Sequence, residues 1–271
     1  MNTEIDTRTI QMFDASELSG PTLEDLVERA RFAIRQLFEN HQPVIIAYSS
    51  GKDSSIVANM ALVEAKHCAS QGMKPVVIVT TSDTLIENPS IQQHYRTEHR
   101  KMRAFAKKAG FKLRTEVVQP SLLMSFQLKV LTGRGIPTFP GGGSDCSYDL
   151  KIAPQRAARK RIFQELGLLG MNEPVTLIGT RFDESERRAL KMKARGENPD
   201  VPKKNKDGDY VLSPIALWTT EDVWEYIGYV SSGMWEGFSD MQEVMRIYAD
   251  GGGTSCAVVS DAIFEGGDKK K

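Results

Sequence analysis

Cysteine is scarce in this sequence, with only Cys68, Cys146 and Cys256 among 271 residues. None of them forms a close C-x-x-C pair, which argues against a disulfide scaffold and against structural zinc held by one chain. An excess of either charge is also missing, since Lys plus Arg and Asp plus Glu both number 35. A nucleic-acid partner would therefore be met by a local field. Residues 1–17 carry neither the basic nor the apolar region of a secretory signal, and no apolar run is long enough to cross a bilayer. These absences predict a cytoplasmic protein with no membrane partner. There is no G-x-x-x-x-G-K-[ST] and no G-x-G-x-x-G, so an ordinary P-loop kinase or dinucleotide fold is a poor reading.

Forty per cent of the residues are hydrophobic, enough for one substantial core. Residues 22–40 place Leu23, Leu26, Val27, Ala30, Ile34, Leu37 and Phe38 at helical spacing. Short β-branched runs then alternate with helical stretches: VIIAY at 44–48, PVVIVT at 75–80, KLRTEVVQ at 112–119 and VTLIG at 175–179. This alternation predicts an α/β fold, a mainly parallel sheet with helices on both faces. The expected organisation is an N-terminal helical segment at 1–40, a nucleotide-binding core at 41–195, and a lid or loop with a small C-terminal helical extension at 196–271. The hydrophilic GENPDVPKKNKDGD reads as the surface loop or lid.

The first strand runs into Ser49-Ser50-Gly51-Lys52-Asp53-Ser54 and then a helix. Small residues let the backbone approach an anion, and a helix N-terminus supplies free N–H donors and a favourable dipole. Lys52 adds a cation, and Asp53 either caps the helix or arranges magnesium-bound phosphates. An ordinary capped strand-to-helix turn uses the same residue types. Residues 151–195 hold eleven Lys or Arg against five Asp or Glu, a strip suited either to a polyanion or to solvated helix faces.

The loop resembles the S-G-G-x-D-S motif of the PP-loop ATP-pyrophosphatase superfamily, with Ser50 replacing the first glycine. A serine suits that position if its torsions are ordinary. TSDTLIENP (81–89), CSYDLKIAP (146–154), GTRFDESERR (179–188) and SPIALWTTEDVWEYI (213–227) are similar to the phosphoadenylylsulfate reductase-like branch. Within it the wording is most similar to the DNA phosphorothioation sulfurtransferase subfamily. The resemblance spans about residues 40–230 and implies an adenine nucleotide α-hydrolase-like fold that uses ATP and magnesium.

Carried onto this chain, the resemblance implies a nucleotide site built from Ser49, Ser50, Gly51, Lys52, Asp53 and Ser54, with Asp83, Glu87, Lys151, Arg181, Glu184 and Arg188. Asp53 and Asp83 are the expected magnesium contacts, and Glu184 is the orienting partner of the arginines. Alternatively, Asp83 or Glu87 fixes a loop by accepting hydrogen bonds. Cys146, between a glycine-rich loop and a basic segment, and Cys256, in DGGGTSCAVVSD, are the expected sulfur-handling catalytic residues, alongside Lys52 and Asp53. Cys68 reads as a packing residue. The subfamily is associated with a four-cysteine [4Fe-4S] centre, which three cysteines cannot complete in one chain, so the expectation is no cluster, with one shared at a dimer interface or held by non-cysteine ligands as the alternatives.

The implied activity is adenylation of a DNA backbone phosphate in support of phosphorothioate formation. The implied partners are DNA, a separate cysteine desulfurase or sulfur carrier, other DNA-modification proteins, and further copies of this chain. Phosphoadenylylsulfate reduction, tRNA thiolation and a catalytically silent nucleic-acid adaptor are the competing readings.

Overall fold

The computed structural model describes residues 20–134, 148–168 and 172–250. The first described element is α1 (Leu23–Glu39), started by a capping box in which Thr22 and Asp25 bond each other's backbone N–H groups. Then follow β1 (Val44–Ala47), α2 (Lys52–Ser70), β2 (Val76–Ser82), α3 (Pro89–Ala109) and β3 (Lys112–Val118). A short helix α4 (Phe126–Leu131) precedes a π-helical turn at Tyr148–Ile152 that leads into α5 (Ala153–Glu165). The remainder is β4 (Val175–Leu177), α6 (Glu186–Arg195), β5 (Lys203–Lys204), β6 (Tyr210–Leu212), α7 (Thr220–Ser231) and α8 (Gln242–Asp250).

The six strands form one sheet in the order β3-β2-β1-β4-β6-β5. All neighbours are parallel except β5 and β6. The expected α/β fold, mainly parallel with helices on both faces, is what forms. Because side chains alternate across a strand, Val44, Ile46 and Tyr48 enter the larger core layer with α1, α2 and α7, whereas Ile45 and Ile78 face Ala158, Ile162 and Phe163 of α5. Burial on both faces explains why VIIA is continuously apolar.

The expected boundary at residue 195 cuts across this sheet. β6 pairs with β4 in parallel register, Val175 opposite Tyr210, and β5 folds back on β6. The hydrophilic segment is thus in part a hairpin, held by Asn205 as its side chain accepts N–H groups of Asp207 and Asp209. Upstream of the hairpin, Asp200 pairs with Arg29 of α1 at 2.6 Å. Lysines on the short edge strand and a polar turn made the segment look like loop, although the pairing of β6 carries it into the core. α7 begins at the Thr219–Asp222 capping box, and α1, α7 and α8 all pack into the main core layer.

Candidate nucleotide and phosphate site

In an open parallel sheet, ligands bind beyond the carboxyl ends of the strands where successive connections diverge. Here that point lies between β1 and β4, because β2 flanks β1 on its other side. The phosphate loop leaves β1, and the Gly179–Glu184 segment leaves β4. The two touch. A Cβ on Gly179 would come within 2.8 Å of the Asp53 backbone, so only glycine permits the approach.

Ser54 ties the loop together, its hydroxyl meeting that of Ser49 at 3.0 Å and lying 3.1 Å from the Gly51 carbonyl. Ser50 has φ +61°, so its torsions are not ordinary for a non-glycine residue. The left-handed region costs a side-chain-bearing residue about 1–2 kcal/mol, part of which is offset here by the Ser50 hydroxyl donating to the Ser49 carbonyl at 2.6 Å. The glycine of the motif is therefore replaced where the backbone favours glycine most.

Asp53 sits in a chain of charges. One carboxylate oxygen accepts from Arg181 Nε at 2.6 Å and the other from Lys52 Nζ at 3.0 Å. Arg181 is only 1% exposed, and its Nη1 also reaches Asp183 and the Trp218 carbonyl, each at 3.3 Å. Glu184 accepts the Arg181 backbone N–H at 3.0 Å and pairs with Arg188, also at 3.0 Å. The expected ligand arginines thus differ: Arg181 is buried against Asp53, whereas Arg188 lies at the surface on Glu184.

Asp83, at the end of β2, accepts from Leu85 N, Gln92, Tyr95 and Gln119, which makes it an anchor for the β2–α3 loop. Glu87 accepts the Thr84 hydroxyl at 2.9 Å. Asp53 and Asp83 are the expected magnesium contacts, and in this structure both oxygens of each carboxylate are engaged by protein donors.

Beside Ser49 a cavity of about 440 Å³ runs between the sheet and α5. Its apolar walls include Ile45, Ile78, Ile162 and Phe163, and its polar side includes Ser49, Glu87, Lys151 and Gln155. Gln155 accepts from Thr80 at 2.7 Å and donates to Ser82 at 2.9 Å, pinning α5 to β2. On the far side Arg156 and Arg159 pair with Asp207 and Asp209 of the hairpin at 2.9 and 3.0 Å. Lys151 and Glu87 are thereby placed at one cavity, whose lining includes neither Arg181 nor Asp53.

The N-terminal end of α2 is covered by α8. The Tyr248 phenol oxygen lies 3.4 Å from the Lys52 N–H, and the Lys52 ammonium stands 5.4 Å from the ring centre. A Cβ on Gly51 would meet that phenol oxygen at 3.1 Å. Trp224 holds the ring edge-on at 5.4 Å. Nothing in the sequence around Tyr248 marks it, because the phosphate loop it covers lies about two hundred residues away in the chain.

Cys68 is buried within α2, and burial pushes its thiol pKa up, as fits packing. Cys146 and Cys256 lie outside the described residues. Among those residues no helix is long and apolar enough to cross a membrane.

The phosphoadenosine phosphosulfate reductase domain model matches residues 43–231, from the base of β1 to the end of α7. The chain belongs to this family. No curated protein matches it. Among solved structures, a U34-tRNA thiolase from Methanococcus maripaludis with its [4Fe-4S] cluster is similar at 13% identity and TM-score 0.42, over 88% of this chain and 77% of that one. NAD+ synthetase from Burkholderia pseudomallei is similar at 14% identity and TM-score 0.39, over 77% of this chain and 76% of the other. FMN adenylyltransferase from Candida glabrata is similar at 10% identity and TM-score 0.39, over 81% of this chain and 60% of the other. The phosphoadenosine phosphosulfate reductase match contains the phosphate loop, Asp83, Lys151 and the Arg181–Arg188 segment, but α8 with Tyr248 falls beyond it.

Proposed function

We propose that the protein activates a DNA backbone phosphate with ATP and so supports its conversion to a phosphorothioate. The observation that carries the nucleotide half is the β1–β4 crevice, where the phosphate loop, Lys52, Asp53 and Arg181 form one linked chain of charges. Apart from that of Lys52, which Tyr248 covers, the N–H groups at the start of α2 suit a polyphosphate, and the cavity beside Ser49 offers apolar walls to a base. Magnesium would accompany the triphosphate as part of the substrate.

An oxygen of the DNA phosphate attacks the α-phosphorus of ATP, the α–β bridging bond breaks, and pyrophosphate leaves with the electron pair. Donors fixed in advance at the loop stabilise the charge on the departing oxygens, so no strong base is required. The terminal sulfur of a cysteine persulfide then attacks the adenylated phosphorus and AMP leaves. A second cysteine thiolate attacks the cysteine-side sulfur, which releases the thiophosphate and leaves a disulfide for a thiol reductant. Cys146 and Cys256 are assigned these two parts. A cysteine desulfurase or sulfur carrier supplies the persulfide sulfur, and other DNA-modification proteins deliver the DNA.

The family match favours one competitor, reduction of phosphoadenylylsulfate, in which a cysteine thiolate attacks the sulfur of a sulfonucleotide in the same cavity. The cysteine series separates the two. With a complete sulfur-delivery system, Cys146→Ser should abolish sulfur incorporation into DNA while ATP binding survives, and Cys68→Ser should be mild. Cys256→Ser should match Cys146→Ser in a two-cysteine relay. Thiolation retained by Cys146→Ser, quantified as sulfur-containing nucleotide by mass spectrometry, would overturn the relay.

A further inference from the structure

Basic residues concentrate at 151–195 in the sequence, but folding neutralises much of that strip. Arg156 and Arg159 pair with Asp207 and Asp209, Arg161 with Glu116 and Glu165, Arg181 with Asp53, Arg188 with Glu184, and Arg195 with Glu197. The opposite holds on α3. That helix carries six Lys or Arg residues against the single acid Glu98, which is buried and taken by Lys101 at 2.9 Å.

Arg96, Arg100 and Arg103 stand at i, i+4 and i+7, hence on one face, over about 10 Å of helix at 1.5 Å per residue. All three are exposed and line a polar groove of about 630 Å³ between α3 and the edge strand β3. Among the described residues their side-chain bonds are to hydroxyls, Arg100 to Thr97 at 3.1 Å and Arg103 to Thr115 at 2.5 Å, and none pairs with a carboxylate. Elsewhere in the lining, Gln92, Gln93, Thr97 and Thr115 supply neutral hydrogen-bonding groups.

The groove reaches the proposed site. At the start of α3, Ile91 and Tyr95 face the nucleotide cavity, while Gln92 and Arg96 face the groove. Gln92 ties the groove to the β2–α3 loop, because its amide also reaches Asp83 at 3.4 Å.

We propose that this groove is a binding track for the sugar-phosphate backbone of a nucleic acid, with Arg96, Arg100 and Arg103 as its phosphate-binding side chains. Ten ångströms of arginines can meet about two or three successive phosphates, which rise about 3.4 Å apart along one strand. Arginine suits that task because its fork donates two parallel bonds to phosphate oxygens. Bonds of this kind position the strand and carry no base specificity. The proposal deepens the DNA reading above by naming the surface that holds the polymer.

The test is fluorescence anisotropy of the full chain with a labelled mixed-sequence DNA duplex across a salt series. Replacing Arg96, Arg100 and Arg103 together by Gln should lower affinity about tenfold or more near 0.1 M salt. It should also reduce the slope of log affinity against log salt by about 0.9 for each phosphate that is no longer neutralised. The matching triple Arg→Lys variant should keep most of that slope, and Lys191→Gln with Lys193→Gln on α6 should leave binding unchanged. ATP affinity should hold in every variant. Unaltered affinity and slope in the triple Gln variant, or no binding by the unmodified protein, would overturn the proposal, as would equal loss on Lys substitution. Pyrophosphate release from ATP, measured in parallel, keeps the outcomes apart. DNA-dependent release with binding that is unaltered in the triple Gln variant defeats the groove alone, whereas groove-dependent binding without release defeats the adenylation reading alone.

Discussion

Arg181 Nε donates to Asp53 Oδ1 at 2.6 Å, joining the loop after β4 to the loop after β1 across 128 residues of sequence. The arginine side chain is 2% exposed, so the pair is structural as well as electrostatic. Breaking a fully buried pair from one side costs about 3–5 kcal/mol, a ceiling here because Lys52 still faces Asp53 and Asp183 still faces Arg181. Asp53→Ala and Arg181→Ala are each expected to lose stability by less than that ceiling. Denaturant unfolding of the singles and the double should show coupling above about 1 kcal/mol, whereas simple additivity would separate the two residues.

Gly179 makes the same joint from the backbone side. Gly179→Ala drives a methyl into the Asp53 peptide at 2.8–2.9 Å, and the backbone cannot yield as a flexible side chain would. The expected result is a lowered melting temperature together with weakened ATP binding, read by thermal unfolding and calorimetry. A fully stable variant with normal affinity would show that the two loops can separate freely.

Ser50→Gly should stabilise the protein, because φ +61° strains serine and not glycine. Relief of about 1 kcal/mol raises the melting temperature by about 2–4 °C in a chain of this size. Ser50→Val should do the reverse, since a β-branched side chain fits that region poorly and cannot replace the bond to the Ser49 carbonyl.

Tyr248 places an oxygen on the first N–H of α2, where a phosphate oxygen would also bind. Tyr248→Phe removes that competitor and should tighten pyrophosphate binding by about twofold to tenfold, the worth of one net hydrogen bond. Weaker binding in titration calorimetry would instead make the phenol a donor to the ligand.

His99 is buried beneath the arginine groove, with Thr81 Oγ1 2.9 Å from its Nε2. Burial, aided by Arg103, lowers its pKa from 6.5 to about 4. The unfolded chain therefore takes up a proton that the folded protein refuses over this interval. Stability should fall as pH drops from about 6.5 to about 4, by up to about 3 kcal/mol. His99→Gln should flatten that part of the unfolding profile, and an unchanged profile would assign the acid sensitivity elsewhere.

The order of strands and helices was legible because VIIA, VVIVT and VTL are apolar on both faces and the helices between them carry their own caps. The phosphate loop was legible from its residue types and its place after β1. Side-chain partnership was not. Arg156, Arg161 and Arg181 look like free cations in sequence and are neutralised by acids brought from distant segments, while Arg96, Arg100 and Arg103 sit among ordinary helix residues and keep their charge open to solvent. The left-handed serine at 50 and the phenol of Tyr248 over the loop arise from tertiary geometry, which local composition does not encode.

ATP turnover is the most direct measure of the central claim. Purified protein should be incubated with ATP, magnesium, DNA, a sulfur donor and a thiol reductant, and in parallel with phosphoadenylylsulfate and the reductant alone, with all products identified by mass spectrometry. The predicted result is AMP and pyrophosphate from ATP, with sulfur-bearing nucleotide in the DNA and no sulfite from the sulfonucleotide. Intact ATP and unmodified DNA, alongside sulfite released from phosphoadenylylsulfate, would contradict it.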